Sequence, residues 1–244
     1  MHNVWIIAKR EFVGYFTSPL AYIFVVIFVA LTGAFAFFIG NFFERGQADL
    51  VPFFTYHTWL YLLLVPAIAM RLWAEERKSG TIELLMTLPI SAWEAILGKF
   101  LAAWAFIGIA LLCTIPMWFT VNHLGDPDNG VIFTSYVGSF LMAGAFLAIG
   151  SCISALSKNQ VIAFIVSATL CFILVMAGSE MVLNFFRGWA PAVLVQAIAS
   201  LSFLNHFEQI TRGVITLPTL LFYLSMIVFF LFANVIVIEQ RKAA

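Results

Sequence analysis

The sequence predicts an all-α polytopic membrane protein. It should have six transmembrane helices, an N-terminal amphipathic helix, a short cytoplasmic helix and a re-entrant or interfacial segment before the last span. Three observations predict this. The 244 residues are 63% hydrophobic and only 10% charged, with a mean hydropathy of +1.04. A soluble domain carries about 25% charged residues, and so large an apolar surplus needs lipid to cover it. The charges also cluster: residues 19–43 hold none, whereas residues 71–99 hold Arg71, Glu75, Glu76, Arg77, Lys78, Glu83, Glu94 and Lys99. Finally, apolar runs of spanning length are separated by short polar turns.

Residues 4–17 (VWIIAKREFVGYFT) alternate apolar and polar side chains with helical spacing. Trp5, Phe12, Tyr15 and Phe16 form one face, with Lys9, Arg10 and Glu11 largely off it, so residues 1–17 read as an amphipathic helix at the membrane surface. Those three charges also interrupt any signal-peptide core, and no small-residue cleavage site follows, so insertion is expected through the spans themselves. Ser18-Pro19 breaks this helix. The first span, 20–39, is long enough for a hydrocarbon core of about 30 Å. Polar residues 41–49 lead to a second span, 53–72, kinked at Pro66. The third, 97–121, ends at the turn Gly125-Asp126-Pro127-Asp128-Asn129-Gly130. The fourth, 134–156, and the fifth, 161–183, are joined by Ser157-Lys158-Asn159-Gln160. Within 184–216 the apolar piece 190–204 is too short to cross and lies between Arg187 and Glu208/Arg212, which suits one or two re-entrant or interfacial helices. The last span, 218–238, ends in Glu239-Gln240-Arg241-Lys242. No internal repeat appears, and one membrane domain covers 1–244.

Orientation follows from Lys and Arg. With a cytoplasmic N-terminus, Lys9, Arg10, Arg71, Arg77, Lys78, Lys99, Lys158, Arg241 and Lys242 lie inside, and only Arg45, Arg187 and Arg212 lie outside. That bias, with an even number of spans, puts both termini in the cytoplasm.

The segment 75–91 between the second and third spans carries the functional argument. Gly80 is placed to cap a short helix over 81–88, with Glu83 near its positive end, and Pro89 stops it. Ser91 and Glu94 then form a capping box for the next helix. Ile82, Leu85 and Met86 make an apolar stripe on a piece too short to be stable alone. It needs a surface, whether the rest of the chain, lipid headgroups or a partner's groove.

The run Glu75-Glu76-Arg77-Lys78-Ser79-Gly80-Thr81-Ile82-Glu83-Leu84-Leu85, followed by Leu88-Pro89-Ile90-Ser91 and Gly98-Lys99, resembles the ABC-2 type transporter permeases. Leu204-Asn-His-Phe-Glu-Gln-Ile-Thr-Arg-Gly213 and the turn at Ser157–Gln160 are similar to the gliding-motility, GldF-like branch. The resemblance covers essentially the whole chain. It implies that Glu75, Glu76, Arg77, Gly80, Thr81, Ile82, Glu83, Leu85, Met86 and Pro89 form a coupling region docked on a cytosolic ABC ATPase. It also implies a second permease copy, identical or a sister chain, and ATP and Mg bound by the partner ATPase rather than by this chain. The sequence itself carries no phosphate loop, because Gly98-Lys99 lacks the upstream glycine.

Elsewhere, Glu180 lies near the outer end of the fifth span, where it can face a cavity or pair with Arg187 or Arg212. Asn205, His206 and Glu208 are expected to satisfy backbone groups in the re-entrant turn. His57, His123 and His206 lack the spacing of metal ligands, and Cys113, Cys152 and Cys171 read as buried small hydrophobes. Gly138, Ser139, Ala143, Gly144, Ala145, Ala148, Gly150 and Ser151 make the fourth span a close-packing helix, within the subunit or between subunits. Twenty-seven Phe residues and boundary tryptophans suit aromatic belts. Zero net charge gives no case for nucleic acid. The leading expectation is thus an exporter-like permease subunit. The alternative is a membrane anchor that transmits force to an accessory periplasmic protein without translocation. Uncharged span interiors argue against a secondary transporter, and the absence of HExxH, GxSxG or a convergent acid pair argues against an intramembrane enzyme.

Overall fold

The computed structural model describes residues 2–81 and 90–242, and all regular structure among them is helical. The helices are α1 (His2–Thr17), α2 (Pro19–Ala34), α3 (Val51–Thr55), α4 (His57–Ala69), α5 (Arg71–Ser79), α6 (Ala92–Leu112) and α7 (Pro116–Leu124). They continue as α8 (Asn129–Leu156), α9 (Gln160–Met176), α10 (Glu180–Arg187), α11 (Ala192–Ser200), α12 (Phe203–Thr211) and α13 (Leu217–Lys242). Five continuous helical stretches are long and apolar enough to cross a membrane: Ala21–Ile39, His57–Ser79, Ala92–Leu124, Asn129–Leu156 and Leu217–Gln240. A sixth arises if α9 and α10, bent by 72°, count as one span.

α8 is the axis of the bundle, in contact with α4, α5, α6, α9, α12 and α13. Its small residues make this possible. A Cβ on Gly138 would meet Ile210 Cγ2 at 2.6 Å, and one on Gly144 would meet the Trp104 ring at 2.8 Å. The close-packing stripe therefore acts within the chain, because glycine lets neighbouring helices approach to contact in lipid.

Local chemistry sets the helix ends. Ser91 and Glu94 form the expected capping box, with Glu94 N–H donating to Ser91 Oγ at 3.2 Å and Ser91 N–H to Glu94 Oε2 at 3.0 Å. Asp128 Oδ1 accepts from Gly130 and Val131 N–H, so α8 begins at Asn129 rather than at 134. α2 ends in a wide π turn, Phe35–Ile39, closed by Gly40 N–H on Phe35 O at 2.7 Å.

Three expectations are corrected. The fifth span stops at Met176, not at 183: Ala177-Gly178-Ser179 turn the chain, and Glu180 opens a separate helix. Gly178 packs so closely on Ser202 and Asn205 that no side chain fits there. On α1 the expected Phe12, Tyr15 and Phe16 pack against the core together with Ile7, Ala8 and the charged Glu11, whereas Trp5 is 71% exposed. Among the cysteines, Cys113 is exposed at the break between α6 and α7. The last expected span, 218–238, is matched by α13. Residues 184–216 contain short helices rather than a crossing.

Candidate functional site

The starts of α1 and α6 meet at one end of the bundle. Asn3 Nδ2 donates to Glu94 Oε1 at 3.1 Å, tying the start of α1 to the start of α6. Trp93, beside it, lies 6.2 Å from the Phe232 ring on α13. α5 descends to this same end and leads into the expected coupling region.

Lys99 is the centre of the site. It stands at the beginning of the third turn of α6, and its side chain is only 4% exposed. Its Nζ donates to Glu76 Oε1 on α5 at 2.7 Å and to Glu11 Oε1 on α1 at 3.2 Å, and sits 5.4 Å from the Trp73 ring centroid. Burying an unpaired ammonium costs several kcal/mol, and two carboxylates plus an aromatic face offset it. Gly98 explains how α1 comes near enough: a Cβ there would meet Ile7 Cγ2 at 2.7 Å and Val4 O at 3.1 Å. Gly98-Lys99 is thus a docking device, the glycine admitting α1 and the lysine reaching the acid on it. Burial pushes the Glu11 carboxyl up, but Lys99 and Arg10 outweigh that and hold it below the ordinary carboxylate value. Glu76 Oε2 is buried with no partner among the described residues, so this carboxylate depends on Lys99 through its other oxygen.

α5 is held at both its ends by α8. The break at Met70 between α4 and α5 leaves backbone groups open at the start of α5. Ser154 fills the break. Its hydroxyl accepts from Trp73 N–H at 3.1 Å and Ala74 N–H at 3.0 Å, and donates to Met70 O at 2.9 Å. One turn earlier, Ser151 Oγ accepts from Trp73 Nε1–H at 3.2 Å and Asn234 Nδ2–H at 2.8 Å, adding α13. Near the lower end of α5, Arg77 Nη1 donates to Ala155 O at 2.6 Å, near the C-terminus of α8 where a cation is favoured. Gly80 ends α5 in the left-handed conformation (φ +76°) as its C-terminal cap. Thr81 Oγ1 shares a 2.9 Å hydrogen bond with Ser79 Oγ.

Glu75, Glu76, Arg77, Gly80 and Thr81 therefore stand together on or just after α5. Ile82, Glu83, Leu85, Met86 and Pro89, and with them the rest of the coupling helix, lie outside the described residues. The second group of expected residues is not one site. Glu180 is 73% exposed in the first turn of α10 and pairs with Arg187 at 3.0 Å, not with Arg212. His206 lies 3.0 Å from Ser200 O and 3.3 Å from Thr219 Oγ1, stapling α12 between the end of α11 and the start of α13, as the backbone-satisfying reading requires. Glu208 and Arg212 are exposed. Among the described residues no three His, Cys, Asp or Glu side chains are placed to hold a metal ion.

Sequence reasoning missed three features. Lys99 counted as a positive-inside charge and, with Gly98, as part of the family resemblance, but not as the partner of Glu76 and Glu11. Ser154 was not singled out. His57, considered only as a metal ligand, is buried against Phe53 and Phe54, with Nδ1 2.9 Å from Ser139 Oγ. The only local signal for Lys99 was a lysine directly after a glycine at the mouth of a span.

The sequence matches the family described as "ABC-2 family transporter protein" over residues 5–238. That family consists of membrane transport subunits that typically work with ATPase partners and as dimers. A search of curated proteins finds no match.

Proposed function

Because the chain belongs to the family of ABC-2 transporter proteins, we propose that it is the permease subunit of an exporter-like complex in a bacterial inner membrane. In this reading it crosses the membrane six times, with both termini and residues 75–91 in the cytoplasm. A separate ATPase binds ATP and Mg²⁺ and grips the coupling region, and a second permease copy completes the pathway.

The observation that carries the proposal is the ion triad of Lys99, Glu76 and Glu11. It joins α5, the helix that leads into the coupling region, to two other helices, through charges that resist separation because they are largely withdrawn from water. Ser154, Ser151 and Arg77 extend the tie to α8 and α13. Movement of the ATPase at residues 80–89 would then be delivered to α1, α6, α8 and α13 together rather than lost in a loose connector. The chain's role is to transmit that movement; nucleotide chemistry stays with the partner.

The test is co-purification of the tagged full chain with its Walker-motif ATPase, followed by ATPase activity in reconstituted membranes. Leu85→Glu should release the ATPase while the permease stays inserted. Full ATPase binding by that variant would overturn the placement of the coupling helix.

A further inference from the structure

Beside the triad, a groove of about 570 Å³ opens between the α1–α2 arm and α4–α5. Its upper walls are apolar, including Ile23, Phe24, Ile27 and Leu64, and its lower end reaches Arg71 and Glu75. α2 is thinly packed, with Ile23 51% and Ile27 41% exposed, so the apolar part is open sideways. The volume falls within the range of small-molecule sites, about 300–1,000 Å³.

The charges select the occupant. Lys99 is engaged by Glu11 and Glu76, which leaves that cluster net negative. Arg71 and Glu75 remain: both line the groove, one helical turn apart on the same face of α5, and neither forms an ion pair within 4.0 Å among the described residues. Arg71 is half-buried and Glu75 is exposed. A guanidinium and a carboxylate at that spacing match a ligand with a phosphodiester next to an ammonium. Below apolar walls open to the side, that ligand is an amphiphile.

We propose that the groove binds a zwitterionic phospholipid with a primary-ammonium headgroup: its phosphodiester on Arg71, its ammonium on Glu75, and its acyl chains leaving sideways along α2 and α4. A net-anionic headgroup is disfavoured, because Glu75 adds a carboxylate beside the phosphate and Glu11 and Glu76 flank it. A quaternary ammonium is disfavoured because it has no N–H to donate to Glu75, and charge-assisted hydrogen bonds supply the selectivity. The lipid would lie against both α1 and α5, so its occupancy props apart the two helices that Lys99 ties together.

The purified full chain, reconstituted in nanodiscs with equal phosphatidylethanolamine, phosphatidylglycerol and phosphatidylcholine, is released and its retained lipids counted by native mass spectrometry. Phosphatidylethanolamine should be retained on the order of tenfold over either competitor. Arg71→Gln should reduce that retention by a similar factor, Glu75→Gln should abolish the preference over phosphatidylglycerol, and Ile27→Trp, which fills the apolar wall, should lower retention of all three. Wild-type retention in the proportions supplied, or led by phosphatidylglycerol, overturns the proposal without reference to any variant. Full displacement by soluble glycerophosphoethanolamine also overturns it, since the groove would then recognise a free phosphodiester rather than a lipid.

Discussion

Replacing Lys99 with methionine keeps a side chain of similar length and deletes the ammonium. Glu11 and Glu76 then face each other across the vacated position without a cation between them. Removing one partner of a buried ion pair costs about 3–5 kcal/mol, because the surviving charge is stranded. Here the two carboxylates keep 23% and 21% of their side-chain surface exposed, so water offsets part of that cost and about 2–3 kcal/mol is expected. For a chain of this size that is a fall of about 5–10 °C in Tm. The informative comparison is the triple variant Lys99→Met, Glu11→Gln, Glu76→Gln, in which no charge is stranded; it should recover most of the loss. Thermal unfolding in one detergent measures both, and trypsin cleavage after Lys9 and Arg10 reports whether α1 has left α6. If Lys99→Met alone is no less stable than the triple variant, the triad is not held by charge, and the coupling argument built on it fails.

Two further outcomes follow from the same geometry. The native pKa of Glu11 lies below its unfolded value of 4.5, so its contribution is complete above that pH and disappears as pH falls through the lower native value; Tm should drop more steeply below pH 4.5 in the wild type than in Glu11→Gln. Ser154→Ala should cost about 2 kcal/mol, because it strands the Trp73 and Ala74 N–H groups at a buried helix start, and denaturant or thermal unfolding of the full chain checks it.

Features encoded within a few residues were legible in the sequence. The Ser91–Glu94 box, the Ser157–Gln160 turn and the apolar lengths of most spans depend on neighbours along the chain, and they appear where expected. The bend after Met176 was passed over because hydropathy runs on through Ala177 and Gly178, while the turn is fixed by Gly178 lying against Ser202, a tertiary contact. On α1 the expected Phe12, Tyr15 and Phe16 do pack, but Trp5 stays out and Glu11 comes in, because the notch at Gly98 and the reach of Lys99, both far along the chain, decide what the start of the helix docks on. Lys99 was hidden most completely. A lysine at a span mouth reads alike whether it reaches for water or for two acids on distant helices.

The arrangement around α5 bears on how force can pass through so short a helix. Nine residues cannot hold their own shape against a load, since helices of that length are marginal in water. α5 is instead held at three levels, by α8 at each and by α6 at the middle one: at its start by Ser154, at its middle by the Trp73–Ser151 and Glu76–Lys99 contacts, and near its end by Arg77 on Ala155 O. To unwind any one turn would break contacts to a helix that the other turns still hold. Displacing α5 as a rigid piece breaks none of them, provided that α6 and α8 move with it. A push on the segment after Gly80 therefore favours rigid displacement of the bundle over local melting, and α1, joined to α5 through Lys99, is carried along.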